Sequence, residues 1–247
     1  MLSPLAWSLL LGTAAAAANI LGGLVVVSRR SWSKEVLKYF VALGAGFMLA
    51  ATFLRMLPES FKLSPHAPLL ILGGYFLVHF FEHTVAPHFH FGEEVHQEVM
   101  INPAVGFSAL VGLSTHTFFD GVSIASGFLV SVPLGLLVFF AVALHKIPEG
   151  FTVASIALAS GRGKRGAINA SIVLALATIA GVLSMHRFAG AVPYALPVST
   201  GVALYVGASD LIPEVNEERG IRMALVVFLG VLLFYLTELS LDALGIQ

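Results

Sequence analysis

Apolar residues in this chain do not alternate with polar ones; they run together in stretches of about 20, separated by short polar connections. A helix rises about 1.5 Å per residue and the hydrocarbon core of a bilayer is about 30 Å thick, so roughly 20 apolar residues cross it. The stretches that qualify are 5–27, 39–57, 67–81, 103–128, 132–159, 167–185, 193–212 and 223–239. The pattern predicts an all-α membrane protein of eight transmembrane helices, a single polytopic domain over 1–247. The first stretch has no basic residue ahead of it, unlike a cleavable leader, and reads as a retained helix.

Composition supports the same solvent. Of 247 residues, 57% are hydrophobic and 11% charged, whereas a soluble domain carries about 25% charged residues. The remaining charges are too few to coat a water-facing surface, and lipid is the natural partner of such a chain. The absence of cysteine excludes disulfides, iron–sulfur clusters and thiolate zinc sites. A net charge of -1 with no basic footprint gives no purchase for nucleic acid. Lysine and arginine concentrate in alternate connections: Arg29, Arg30, Lys34 and Lys38, then Arg162, Lys164 and Arg165, then Arg219 and Arg222. The opposite side offers Arg55, Lys62 and Arg187. Basic loops stay cytoplasmic, so both termini are expected outside, in a plasma (cell inner) membrane.

Two internal similarities follow. Gly46-Phe47-Met48-Leu49 … Met56-Leu57-Pro58-Glu59 in the second span resembles Gly201-Val202-Ala203-Leu204 … Leu211-Ile212-Pro213-Glu214 in the seventh, and these spans are expected to run in opposite directions. An inverted repeat of spans 1–3 and 6–8 around a central span 4–5 pair accounts for this, as in many secondary transporters. His116-Thr117-Phe118-Phe119-Asp120-Gly121 in the fourth span matches His145-Lys146-Ile147-Pro148-Glu149-Gly150 in the fifth.

Residues four apart share a helix face, so His116 projects beside Asp120 and His145 beside Glu149. A short connection makes these two spans antiparallel neighbours, and four potential ligands converge at one depth. A charge in mid-membrane costs about 2.5–3.5 kcal/mol on insertion scales. Two carboxylates cancel one divalent ion, and two neutral imidazoles complete a shell that suits zinc, iron or manganese; calcium prefers oxygen alone. Pro148 lacks a backbone N–H and is expected to weaken the fifth helix locally and free the carbonyl of Leu144.

These motifs resemble the ZIP (Zrt/Irt-like) family of divalent metal transporters, whose fourth and fifth of eight spans carry a histidine and an acid four residues later. The resemblance covers nearly the whole chain. It implies that zinc or another divalent transition metal (iron, manganese or cadmium) is a transported substrate, moved toward the cytoplasm, with no enzymatic activity; it leaves room for a homodimer. The family's second span contributes a methionine, and Gly46-Phe47-Met48 looks like its counterpart, which makes Met48 either a soft fifth ligand or a packing residue. Binuclear members have Asn and an acid where this chain has Thr117 and Lys146, and a glutamate in the sixth span where it has Ala177-Thr178-Ile179. The ammonium of Lys146 is therefore expected to stand as a charge surrogate in the place of a second ion, leaving one metal.

The segment at about 82–101 reads as a His-rich cytoplasmic loop. His79, Glu82 and His83 share a face at the end of the third span, and His88, His90 and His96 follow. These six are candidate exit-side or regulatory metal ligands, or else members of a solvated amphipathic segment. The carboxylates Glu59, Asp210, Glu214 and Glu238 near span ends read as solvated or capping groups. Two other functions stay open for the central residues: an intramembrane zinc-dependent hydrolase, with Ser114, Ser123 and Ser126 nearby but no His-Glu-x-x-His motif, or a metal sensor without flux.

Overall fold

The computed structural model describes residues 2–28, 34–84, 103–217 and 220–245, and all the regular structure among them is helical. In chain order the helices are α1 (Pro4–Val27), α2 (Lys34–Ala51), α3 (Leu57–Leu63), α4 (Ala67–Thr84), α5 (Pro103–Val130), α6 (Val132–Ala159), α7 (Gly163–Arg187), α8 (Val192–Tyr205), α9 (Ile212–Asn216) and α10 (Ile221–Ala243). Six stretches are long and apolar enough to cross a membrane: Pro4–Val27, Val36–Leu63, Val132–Ala159, Gly163–Arg187, Ala189–Asn216 and Ile221–Ala243. The other two long helices, α4 and α5, carry the histidines and acids singled out above, which dilute their apolar character.

Serines start two of the helices by filling orphan backbone donors. Ser3 Oγ accepts from the Ala6 N–H at 3.2 Å ahead of Pro4, and Ser131 Oγ accepts from the Leu134 N–H at 3.3 Å. The second and seventh spans run further than their apolar stretches foretold. Both contain a π-helical turn, Thr52–Met56 and Val206–Leu211, immediately before Leu57-Pro58 and Ile212-Pro213. The Leu57 N–H bonds Thr52 O and the Ile212 N–H bonds Gly207 O, each five residues back. Widening the turn accommodates the proline ring, which has no N–H and would crowd the carbonyl four residues earlier. The helix therefore passes the proline instead of ending there. At Pro148 the expected weakening does not break α6, which is continuous from Val132 to Ala159.

The helices pack in two groups. In one, α1 lies along α6 and α7, and α5 also packs on α6 and α7. In the other, α4 lies along α8 and α10 along α2, with α2 also against the π-helical turn that follows α8. The groups meet where α2 faces α6 and where α5 faces α8. Within each group, helices cross at reciprocal glycines. A Cβ on Gly22 would strike the backbone of Ile147, and one on Gly150 that of Asn19, locking α1 to α6. Gly121 and Gly181 interlock α5 with α7, Gly74 and Gly201 interlock α4 with α8, and Gly46 and Gly230 interlock α2 with α10. Across the seam between groups the fit is looser: a Cβ on Gly44 would sit at an ordinary 3.5 Å from Leu144. Overpacking a close crossing costs about 1–3 kcal/mol. Gly150→Ala is accordingly expected to lower the yield of monodisperse protein in detergent, measured by size-exclusion chromatography. Gly73→Ala, with nothing within 4 Å of the new Cβ, should leave it unchanged.

Polarity is arranged inside out. Large apolar side chains such as Leu69, Phe76, Leu176, Leu225 and Phe228 point outward, whereas the ionisable side chains of α5 and α6 are buried.

Candidate metal centre

His116 and Asp120 come from α5, His145 and Glu149 from α6, and one ligand atom from each lies within 4.8 Å of the others. All four side chains are buried, and among the described residues they form the one group of three or more such ligands that gathers this closely. Gly121 and Gly150, directly after the two acids, are the points at which α7 and α1 close on the central pair, so their small size brings the helices behind the site into register.

The orientation of each donor is set by its neighbours. His145 Nδ1 lies 3.0 Å from the Ala141 carbonyl oxygen, which only accepts, so Nδ1 carries the proton and Nε2 turns its lone pair inward. His145 Nε2 stands 3.4 Å from Asp120 Oδ2, and His116 Nε2 stands 3.2 Å from the same oxygen. The His116 contact is too poorly aligned for a hydrogen bond, so a buried imidazole nitrogen has no hydrogen-bond partner among the described residues. Two inward imidazole nitrogens beside a carboxylate match the donor set of a borderline transition metal.

Lys146 lies among these side chains and is held from three directions. Its Nζ lies 2.6 Å from Asp120 Oδ2 and 2.5 Å from Glu149 Oε2, and it donates to Thr117 Oγ1 at 3.2 Å. Three N–H groups thus meet three acceptors. Thr117 in turn donates its hydroxyl proton to Glu149 Oε1. Lys146 does not turn away toward either membrane face; it is fully buried. The clamp formed by Thr117 had no signature in the sequence, where position 117 registered only as a departure from a family pattern.

Met48 is buried and packs in the same apolar cluster as Leu137 and Ala141, the residue whose carbonyl orients His145. One turn before it, Gly44 faces the backbone of Leu144 and His145. Above the site, toward the α5–α6 connection, Met56, Ile124, Phe128, Leu134, Val138, Val142 and Leu196 form a continuous apolar layer. Beyond that layer opens a cavity of about 300 Å³ bordered by Arg55, Glu59, Ser131, Leu134 and Asp242.

The remaining candidates separate. His83 Nδ1 contacts the His79 carbonyl at 2.9 Å, and the two rings lie tilted by 34° with centroids 4.0 Å apart. Glu82 turns instead into the protein and accepts from the Tyr205 hydroxyl at 2.8 Å. His88, His90 and His96 lie outside the described residues. Two span-end carboxylates are paired, Glu59 with Lys62 at 2.9 Å and Glu238 with Arg55 at 2.5 Å. Asp210 is not the solvated group its place near a span end suggested: the π-helical turn carries it inward, where it is 4% exposed.

A family model described as ZIP Zinc transporter matches residues 90–238, more than half of the chain. The chain belongs to the ZIP zinc transporter family. The match includes all four clustered residues together with Thr117 and Lys146, and leaves out Met48. Relatives include Zinc transporter ZIP13 of Danio rerio, 28% identical over 147 residues that cover 56% of this chain and 42% of that protein. Zinc transporter zipt-7.2 of Caenorhabditis elegans is 27% identical over 134 residues, 49% of this chain and 29% of that one. Zinc transporter SLC39A7 of Mus musculus is 28% identical over 138 residues, 51% and 29% of the respective chains. The chain thus spans less than half the length of these ZIP-family relatives.

Proposed function

We propose that this chain carries divalent transition-metal ions, zinc first, across a membrane through one site made by His116, Asp120, His145 and Glu149. The observation that carries the reading is the burial of these four donors within 4.8 Å of one another, in a chain whose outward surface is apolar. Met48 adds a soft ligand from the facing group, and Lys146 holds the place of a second cation, so that one ion binds per chain. Two carboxylates and one ammonium leave the empty site one charge short of neutral, which favours a visiting cation.

Eight spans in an inverted repeat provide the frame. Exchanging the first span with the sixth and the fourth with the fifth turns the α1–α6 glycine crossing into the α7–α5 crossing. Exchanging the second span with the seventh and the third with the eighth likewise turns α4–α8 into α10–α2. The two π-helical turns occupy equivalent places before Pro58-Glu59 and Pro213-Glu214. This correspondence supports the repeat, and the basic connections support both termini outside. Interlocked glycines make each group stiff, and the looser seam is where relative movement exposes the site to either side. With the apolar layer closed on the α5–α6 side, the next step toward the cytoplasm leads past Tyr205 and Glu82. Protons compete for the same donors, because a ligand must lose its proton to bind metal.

Hydrolysis has less support, because the sequence holds no His-Glu-x-x-His motif. Purified protein in proteoliposomes is expected to accumulate radioactive zinc with time and to bind one zinc per chain in equilibrium dialysis. Tight binding without flux, or hydrolysis without flux, overturns the transport reading.

A further inference from the structure

Lys146 and Thr117 consume much of the carboxylate capacity of the centre before any ion arrives. Of the four carboxylate oxygens, Asp120 Oδ2 is taken by Lys146 and approached by both imidazoles. Glu149 Oε2 is taken by Lys146 and Glu149 Oε1 by the Thr117 hydroxyl. Only Asp120 Oδ1 has no hydrogen bond or ion pair among the described residues. The ammonium cannot easily yield, because its three N–H groups already meet three acceptors and its side chain has no exposure to solvent. The donors that neither Lys146 nor Thr117 engages are His116 Nε2, His145 Nε2, which reaches Asp120 Oδ2 only at 3.4 Å, and that single oxygen, a set dominated by nitrogen.

We infer that Lys146 and Thr117 are specificity-determining residues that restrict the site to imidazole-preferring ions at the zinc end of the transition series and reject manganese and other oxygen-preferring ions. This rests on the metal-binding reading above and narrows it. The physical reason is donor type rather than size. Manganese, magnesium and calcium draw most of their binding energy from several oxygen ligands, whereas zinc is well served by two imidazoles and one carboxylate. Withdrawing carboxylate oxygens therefore costs manganese more than zinc. Thr117 works through its neighbours: it fixes Lys146 on the acids and occupies the second oxygen of Glu149, so it is a positioning residue.

The test is the ratio of manganese to zinc dissociation constants, measured by isothermal titration calorimetry on the purified full chain in detergent. The unaltered protein is expected to favour zinc by at least about 100-fold, in the direction of the general order of divalent affinities and beyond it because oxygen donors are withdrawn. Lys146→Met frees both carboxylates and should shrink that preference about tenfold or more. Thr117→Val frees Glu149 Oε1 and should shift the ratio the same way by a smaller factor, while Thr117→Ser, which keeps the hydroxyl, should restore it. Equal affinity for the two ions in the unaltered protein overturns the inference, as does an unchanged ratio in Lys146→Met. If Lys146→Met does not fold, an unchanged ratio in Thr117→Val overturns it equally. Because binding is read directly, this outcome is separate from flux: loss of zinc uptake in proteoliposomes refutes transport and leaves the selectivity result standing.

Discussion

Replacing His145 by alanine is expected to lower zinc uptake into proteoliposomes by at least about 100-fold. Altering even an outer partner of a metal ligand costs about 10–100-fold, and His145 is a donor in its own right. Its Nε2 is held facing Asp120 by the 3.0 Å contact between Nδ1 and the Ala141 carbonyl, and it is 2% exposed, so water has no ready route to replace it. Glu149→Ala should have an effect of the same order, for an added reason. It strips Lys146 of one of its two carboxylates and Thr117 of its acceptor, undoing the arrangement beside the two imidazoles. His186→Ala, far along α7 from these residues, is the matched control and should transport at the normal rate. Uptake that survives His145→Ala would mean that the ion passes elsewhere.

The second large effect concerns stability. Lys146→Met leaves Asp120 and Glu149 buried without the ammonium that lies 2.6 and 2.5 Å from them. Removing one partner of a buried ion pair costs about 3–5 kcal/mol, because the surviving charge has neither water nor a counter-ion. The metal-free variant should therefore melt well below the unaltered protein in detergent. Zinc should reverse much of that loss, since a ligand that binds only the folded chain stabilises it, and a site with two unpaired carboxylates gains most from a divalent ion. The upward shift in melting temperature on adding zinc is thus expected to be larger in Lys146→Met than in the unaltered protein. A smaller or equal shift would show that the ammonium does not compete with the ion for the same acids.

Several parts of this protein lie in local periodicity. Runs of about 20 apolar residues set the helices because a bilayer has a fixed thickness, and the spacing of His116 to Asp120 and of His145 to Glu149 placed each pair on one helix face. Those two rules, with a short connection between the spans, are enough to bring the four donors together. Where the reading fell short, the missing information was not local. The spans containing Pro58 and Pro213 continue past their prolines because a π-helical turn absorbs the ring, and that choice depends on what the widened turn packs against. His79, Glu82 and His83 do share a stretch of α4, yet the Tyr205 hydroxyl, 123 residues from Glu82, draws the carboxylate away from the imidazoles.

By itself, then, the amino-acid order determined that the chain is helical and apolar enough for lipid and which four side chains meet, since each follows from a repeat of a few residues along one helix. Tertiary structure alone decided that Thr117 joins the acids in holding Lys146 and that the ammonium meets both of them at once, that Asp210 turns inward and that the helices interlock in two glycine-bound groups. Those outcomes depend on the rotation of each helix about its own axis against distant partners, and no pattern within a single helix carries that angle.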